Sequence, residues 1–215
     1  MAQYPLITRP EHDYATRYLS AWAERFFEVA KANGYSVIDL YRKRANRKEV
    51  ESILCKRNPN FVIINGHGSD NAVSGHENEL LLIAGDNSFL LKGKIIYAIA
   101  CRSARELGKE AGQNIDTTYI GYKEDFVFIY LENHHTRPLE DKLAELFLDP
   151  SNLVATTLLK GHPAKEAVSR AQKEFLKKIQ ELLLSDINTD KSSALRWLVW
   201  DMKHLTLCGD ENKKL

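Results

Sequence analysis

Phe61-Val-Ile-Ile-Asn-Gly-His-Gly68 and Ile95-Ile-Tyr-Ala-Ile-Ala-Cys-Arg-Ser-Ala104 follow one pattern. Each opens with an apolar run too short for a helix and ends on a residue able to do chemistry. Nearly uniform apolarity marks strands buried on both faces, as in a parallel sheet covered by helices. In such sheets the space just past the carboxyl ends of the strands is where ligands bind. If these two strands are parallel neighbours, His67 and Cys101 emerge side by side although 34 positions separate them.

Outward from these runs, strands and helices alternate. Leu6 to Thr8 and Ser36 to Tyr41 read as further strands, and Thr118 to Gly121 as another. Pro10, Glu11 and Asp13 open a helix with apolar residues from Ala15 to Ala30, closed by Gly34. Asn46 and Glu49 form a capping box for a short helix carrying Val50, Ile53 and Leu54. Leucine runs on either side of Gly85-Asp-Asn87 suggest a hairpin, Glu79 to Ile83 with Phe89 to Leu91. Arg102 to Gly112 reads as a helix. Pro138 starts one helix, Ser151 to Lys160 forms another and Pro163 a long third. Ser192 or Ser193 caps the last helix, and the residues after His204 alternate like an edge strand. These elements predict a largely parallel α/β sheet with helices on both faces, and residues 1–215 read as one domain.

At 44% hydrophobic and 27% charged, the chain has the profile of an ordinary soluble globule. Its formal net charge of +1 gives no reason to expect nucleic acid or a membrane surface as partner. The basic run from Tyr41 to Lys48 reads as a solvated loop and helix start. No apolar stretch approaches the roughly 18–20 residues of a membrane span. Arg9 and Glu11 come too early for a signal peptide's apolar region. Three widely spaced cysteines argue against a disulfide framework and for a reducing cytosol.

A free thiol, pKa about 8.5, is a few per cent thiolate at neutral pH and profits from a nearby imidazole. Cys101 begins a predicted helix, whose dipole would favour the anion. Glycines flanking His67 allow a tight turn and leave the Gly68 N–H unshielded, an oxyanion donor beside the N–H of Cys101. A lone cysteine at a strand end is usually a packed small hydrophobe, and a Gly-flanked histidine usually a surface residue. Only the pairing gives either one weight. His134 and His135 are adjacent and would diverge, so they make a poor metal site. No Cys-x-x-Cys, His-Glu-x-x-His or phosphate loop occurs, and no cofactor or metal is expected. Gly75-His-Glu-Asn78 reads as a mobile surface loop, and Trp197 and Trp200 as packing or partner contacts.

The two blocks resemble the His-Gly and strand-Cys blocks of the caspase–gingipain–CHAT clan of cysteine peptidases. Tyr119-Ile-Gly-Tyr122, Leu158-Leu-Lys-Gly161 with Ala164-Lys-Glu-Ala167, and Leu207-Cys-Gly-Asp210 extend the likeness, which is closest to CHAT and gingipain-like domains. It implies a caspase-like three-layer sandwich and a Cys101–His67 dyad, with Gly68 as oxyanion donor. The implied activity is a protein-cleaving endopeptidase controlled by a partner or by self-processing, as in prokaryotic defence or cell death. Basic-specific members carry an acid two positions before the cysteine, where this chain has Ile99. Asp70, Asp86, Glu124 and Asp125 are the other acids near the cleft, with Asp125 and then Asp70 preferred as substrate contacts. A catalytically silent caspase-fold adaptor is the competing reading, and a non-peptidase hydrolase or transferase using Cys101 a third.

Overall fold

The structure, a computed structural model, describes residues 4–184 and 189–215. Its strands are β1 (Leu6–Arg9), β2 (Ile38–Tyr41), β3 (Phe61–Asn65), β4 (Ala72–Ser74), β5 (Leu80–Ile83), β6 (Ile95–Ile99), β7 (Thr118–Tyr122) and β8 (Leu205–Gly209). The main sheet runs in the order β2-β1-β3-β6-β7-β8, parallel except for β8 at the edge. The helices are α1 (Tyr14–Ala23), α2 (Arg25–Ala32), α3 (Arg47–Lys56), α4 (Leu107–Gly112), α5 (Lys142–Leu159), α6 (Ala164–Leu184) and α7 (Thr189–His204). Among the described residues no helix is long and apolar enough to cross a membrane.

Alternation along each strand splits the core into two layers. Ile63, Tyr97, Ile99 and Ile120 face α1, α2, α5 and α6, where Trp22, Phe26, Leu148 and Leu158 are buried. Val62, Ile64, Ile96 and Ala98 face the other way, onto α3, α4 and the β4–β5 pair. The result is the three-layer sandwich that the sequence predicts.

Five local expectations fail. The hairpin after Gly85 does not form, because β5 pairs back to β4 and residues 88–91 make a 3₁₀ turn. Asn87 settles this locally: its side chain accepts from Ile83 N–H and donates to the Leu81 carbonyl, both at 2.8 Å. The helix expected from Arg102 begins only at Leu107. Asp70 O accepts from the Glu106 and Leu107 N–H groups, and residues 101–106 are turns. The first long helix breaks at Glu24 into α1 and α2. The two helices expected around Pro138 and Ser151 are instead one, α5, capped by Asp141 and running through Pro150. There Ser151 O accepts from Tyr97 Oη at 2.6 Å and Ser151 Oγ lies 3.0 Å from Tyr122 Oη, so the proline turn is bonded to two strands. The expected cap residue Ser192 lies inside α7, with its side chain outside the described residues.

The segment 123–141 has no strand or α-helix of its own and crosses the face of the molecule as a strap. Two buried aspartates hold it. Asp141 Oδ2 accepts from Leu131 N–H and Tyr18 Oη, each at 2.7 Å. Asp201, fully buried on α7, accepts from Val127 N–H at 3.1 Å, and its second oxygen has no partner.

Burial pushes the Asp201 carboxyl well above its ordinary value. A carboxyl with a raised folded pKa contributes most below its unfolded value, about pH 4, and loses that contribution as pH rises through the folded one. Between pH 5 and 8 the wild type should therefore lose stability relative to Asp201→Asn, read as urea midpoints at the two pH values. Parallel changes in the two proteins would mean that Asp201 ionises like an ordinary surface acid.

Candidate active site

β3 and β6 pair in parallel with Ile64 opposite Ala98 and Asn65 opposite Ile99. Gly66 N–H still reaches Ile99 O at 3.4 Å, and His67 and Cys101 follow two positions beyond the last paired residues of their strands. The glycines around His67 serve approach rather than turning, since neither has positive φ. A Cβ on Gly66 would lie 2.0 Å from Ser74 O, and one on Gly68 would lie 2.4 Å from Cys101 O and 3.0 Å from Cys101 N. Gly68 therefore rests directly on the backbone of Cys101. Its bridge to Val73 is closed by Ser69 N–H to Ala72 O and Ser74 N–H to His67 O, which leaves the Gly68 N–H out of the pairing.

His67 is held from a third strand end. β1 pairs with β3, so the loop after β1 arrives beside it. In that loop Asp13 caps α1, its Oδ1 accepting from Thr16 N–H at 2.8 Å. Its other oxygen, Oδ2, lies 2.6 Å from His67 Nε2. Burial raises the Asp13 carboxyl, but the bonds from His67 and Thr16 outweigh it and hold the group below its ordinary value. An ionised acceptor on Nε2 selects the tautomer with hydrogen there, which leaves the Nδ1 lone pair free.

The thiol is not in a helix N-terminal field, because α4 starts six residues later. Cys101 Sγ instead donates to Phe126 O on the strap at 3.7 Å, and no hydrogen bond joins it to His67. Burial pushes the thiol above its ordinary value, with Asp125 acting in the same direction. Arg102, next in the chain, sits in the left-handed region at φ 54°. Strain of this kind collects at functional sites.

The expected substrate acids are spoken for. Asp125 lies 2.9 Å from Arg102 Nε as an ion pair without hydrogen-bond alignment, and Asp70 pairs with Arg102 and Arg105. Glu124 pairs with Arg105 and Asp86 with Arg47. Trp200 packs on the strap, donating to Asp125 O at 2.9 Å. The 75–78 segment is anchored rather than loose: His76 N–H donates to Ala45 O, and His76 Nδ1 accepts from Glu11 N–H. A cavity of about 370 Å³ lies between the start of α1 and the strap, lined by Tyr14, Tyr130, Glu132 and His135.

No protein-family model matches the chain, and no curated protein matches it significantly. Solved structures do. A crystal structure of the Arg-specific cysteine proteinase gingipain R superposes with a TM-score of 0.58 at 14% identity, over 99% of this chain and 47% of that one. The complex of the pro- and mature domains of Porphyromonas gingivalis RgpB gives 0.55 at 13% identity, over 99% and 49%. The fold is gingipain-like. The chain spans about half the length of these neighbours, and at such identity the likeness carries architecture alone.

Within the gingipain-like frame the sequence blocks correctly locate two strand ends, but Asp13, His12 and the Phe126 carbonyl go unnoticed. Asp13 reads only as a helix opener until β1 is known to lie against β3. No local motif carries that information.

Gly68→Ala should lower stability by about 1–3 kcal/mol, because the new methyl group must displace the Cys101 backbone. It should also slow modification of Cys101 at least tenfold. Iodoacetamide labelling of wild-type Cys101 should climb only above about pH 8.5. A rate already at its plateau below pH 7 would mean a preformed thiolate.

Proposed function

We propose that this chain is a cysteine peptidase in which Cys101 is the nucleophile, His67 its base and Asp13 the residue that positions the base. The observation that supports it is that Gly68, next to His67, rests on the Cys101 backbone past the paired ends of β3 and β6, while Asp13 engages the imidazole's Nε2. In this reading the thiol leaves the Phe126 carbonyl and gives its proton to His67 Nδ1. Sγ attacks the scissile carbonyl, and the oxyanion is met by the N–H groups of Gly68 and Cys101. His67 then returns the proton to the leaving amine, and water, activated by the same imidazole, hydrolyses the thioester. A protonated thiol bonded to the strap describes a resting enzyme, which fits control by a partner or by self-processing. The sequence blocks lean to CHAT as well as gingipain-like domains, and the dyad chemistry is common to both.

For the substrate side chain we assign the cavity of Tyr14, Tyr130, Glu132 and His135. Among the described residues no ion pair engages Glu132, unlike Asp70, Asp86, Glu124 and Asp125. Two tyrosines and a carboxylate suit a guanidinium or ammonium group. The gingipain R neighbour is Arg-specific by its description, and basic residues are the expectation here.

A peptidyl chloromethyl ketone library with site mapping by mass spectrometry tests the reading. Cys101 should label far faster than exposed Cys55 or half-buried Cys208. His67→Ala and Asp13→Asn should each slow that labelling by about 10²-fold or more. Glu132→Gln should reduce preference for basic probes by about tenfold, a change of roughly 1.4 kcal/mol. Equal labelling of the three cysteines, with no cleavage of a randomised peptide library, would favour the silent adaptor instead.

A further inference from the structure

His67 Nε2 does not face Asp13 alone. His12 Nε2 lies 3.5 Å from the same Asp13 Oδ2, and the three ligating atoms all lie within 4.8 Å of one another. The His12 and His67 rings meet edge to face with centroids 5.9 Å apart. Only 12% of the His12 side chain is exposed, and its Nδ1 is buried without a hydrogen-bond partner. Nε2 is the ring nitrogen that faces Asp13 Oδ2, and an ion there would have to displace its present acceptors. Asn78 Oδ1 lies 3.2 Å from that nitrogen, and His76 stacks edgewise on the same ring at 5.4 Å. The 75–78 segment thus packs against His12.

We propose that His12 Nε2, Asp13 Oδ2 and His67 Nε2 form a site for a divalent transition ion of the zinc class, and that an ion there disables the base. This rests on the reading of His67 as base. Two imidazoles and one carboxylate are a donor set for zinc or its neighbours, not for calcium or magnesium, which prefer oxygen alone. Tetrahedral zinc, with ligands near 2.0–2.1 Å, holds its ligand atoms about 3.3 Å apart. The His12–Asp13 spacing of 3.5 Å already meets that. The His67–Asp13 contact, now 2.6 Å, would open by roughly 0.7 Å to reach that spacing. The fourth position faces the solvent that reaches His67 and Asp13, whose side chains are 43% and 39% exposed.

The inhibition follows from the tautomer. Without metal, the ring hydrogen sits on Nε2 against Asp13, and Nδ1 carries the lone pair. A metal takes the Nε2 lone pair, so the hydrogen of the neutral ring moves to Nδ1. No atom then remains to accept the thiol proton. Asp13 meanwhile exchanges the imidazole N–H for the metal and keeps its helix cap through Oδ1.

The test uses Cys101→Ala as parent, so that the nucleophilic thiol cannot itself be a ligand. Zn²⁺ at tens of micromolar should raise its melting temperature, and Co²⁺ should give visible d–d absorption. Adding His12→Gln should weaken Co²⁺ binding at least tenfold. His12→Phe, which keeps a ring in place without a nitrogen, guards against a folding defect in the first variant. In protein with Cys101 intact, Zn²⁺ should suppress Cys101 labelling by the chloromethyl ketone, a chelator should restore it, and His12→Phe should shift the inhibitory concentration upward at least tenfold. Failure of the parent to bind Zn²⁺, or equal affinity in the His12 variants, overturns the site whatever the peptidase assays show. Tight His12-dependent binding with unchanged labelling overturns the switch. Absence of cleavage in metal-free protein counts against the peptidase reading and leaves the binding result standing.

Discussion

The parallel pairing of β3 with β6 is the constraint on which the rest depends. It is the centre of the sheet, both strands are buried along their whole length, and a one-residue slip would invert every side chain between the two core layers. The apolar faces thus lock the register, and the register sets side by side the two strand ends that precede His67 and Cys101. The chemistry at the strand ends is specified by packing several residues away.

Around this pair the site is closed by loops. The loop after β1 brings Asp13, the strap brings Phe126 O, and the turn after Cys101 is held by Arg102 and Ala104 N–H groups bonded to Glu124 and Tyr122 carbonyls. The strap in turn hangs on two aspartates of opposite character. Asp141 is surrounded by donors from Tyr18, Leu131, Leu143 and Ala144. Asp201 has one donor and a bare second oxygen. The first anchor is fully satisfied, whereas the second is as weak as a buried acid that must stay neutral.

The central strands were legible because Phe61–Ile64 and Ile95–Ile99 are apolar on both faces, a signal that needs no partner to interpret. The edge strand β8 announced itself by alternation. What was illegible depended on contacts across the chain. The helix after Cys101 is delayed by a carbonyl from Asp70, thirty-odd positions earlier. Pro150 fails to break α5 because Tyr97 and Tyr122 reach its turn from the sheet. Asp13 becomes part of the site only through the order β1-β3-β6, which no local pattern encodes. Arginines 102 and 105 claim the acids nearest the cleft, so charge counted along the sequence overstated what is free to meet a ligand.

Asp13 serves two structures with one carboxylate, starting a helix with one oxygen and orienting an imidazole with the other. On the proposed reading, a chain whose first helix has not yet formed holds a thiol without an aligned base. If the dyad works as proposed, competence to cut arrives with the completed fold, and a nascent or partly unfolded copy is harmless to its neighbours.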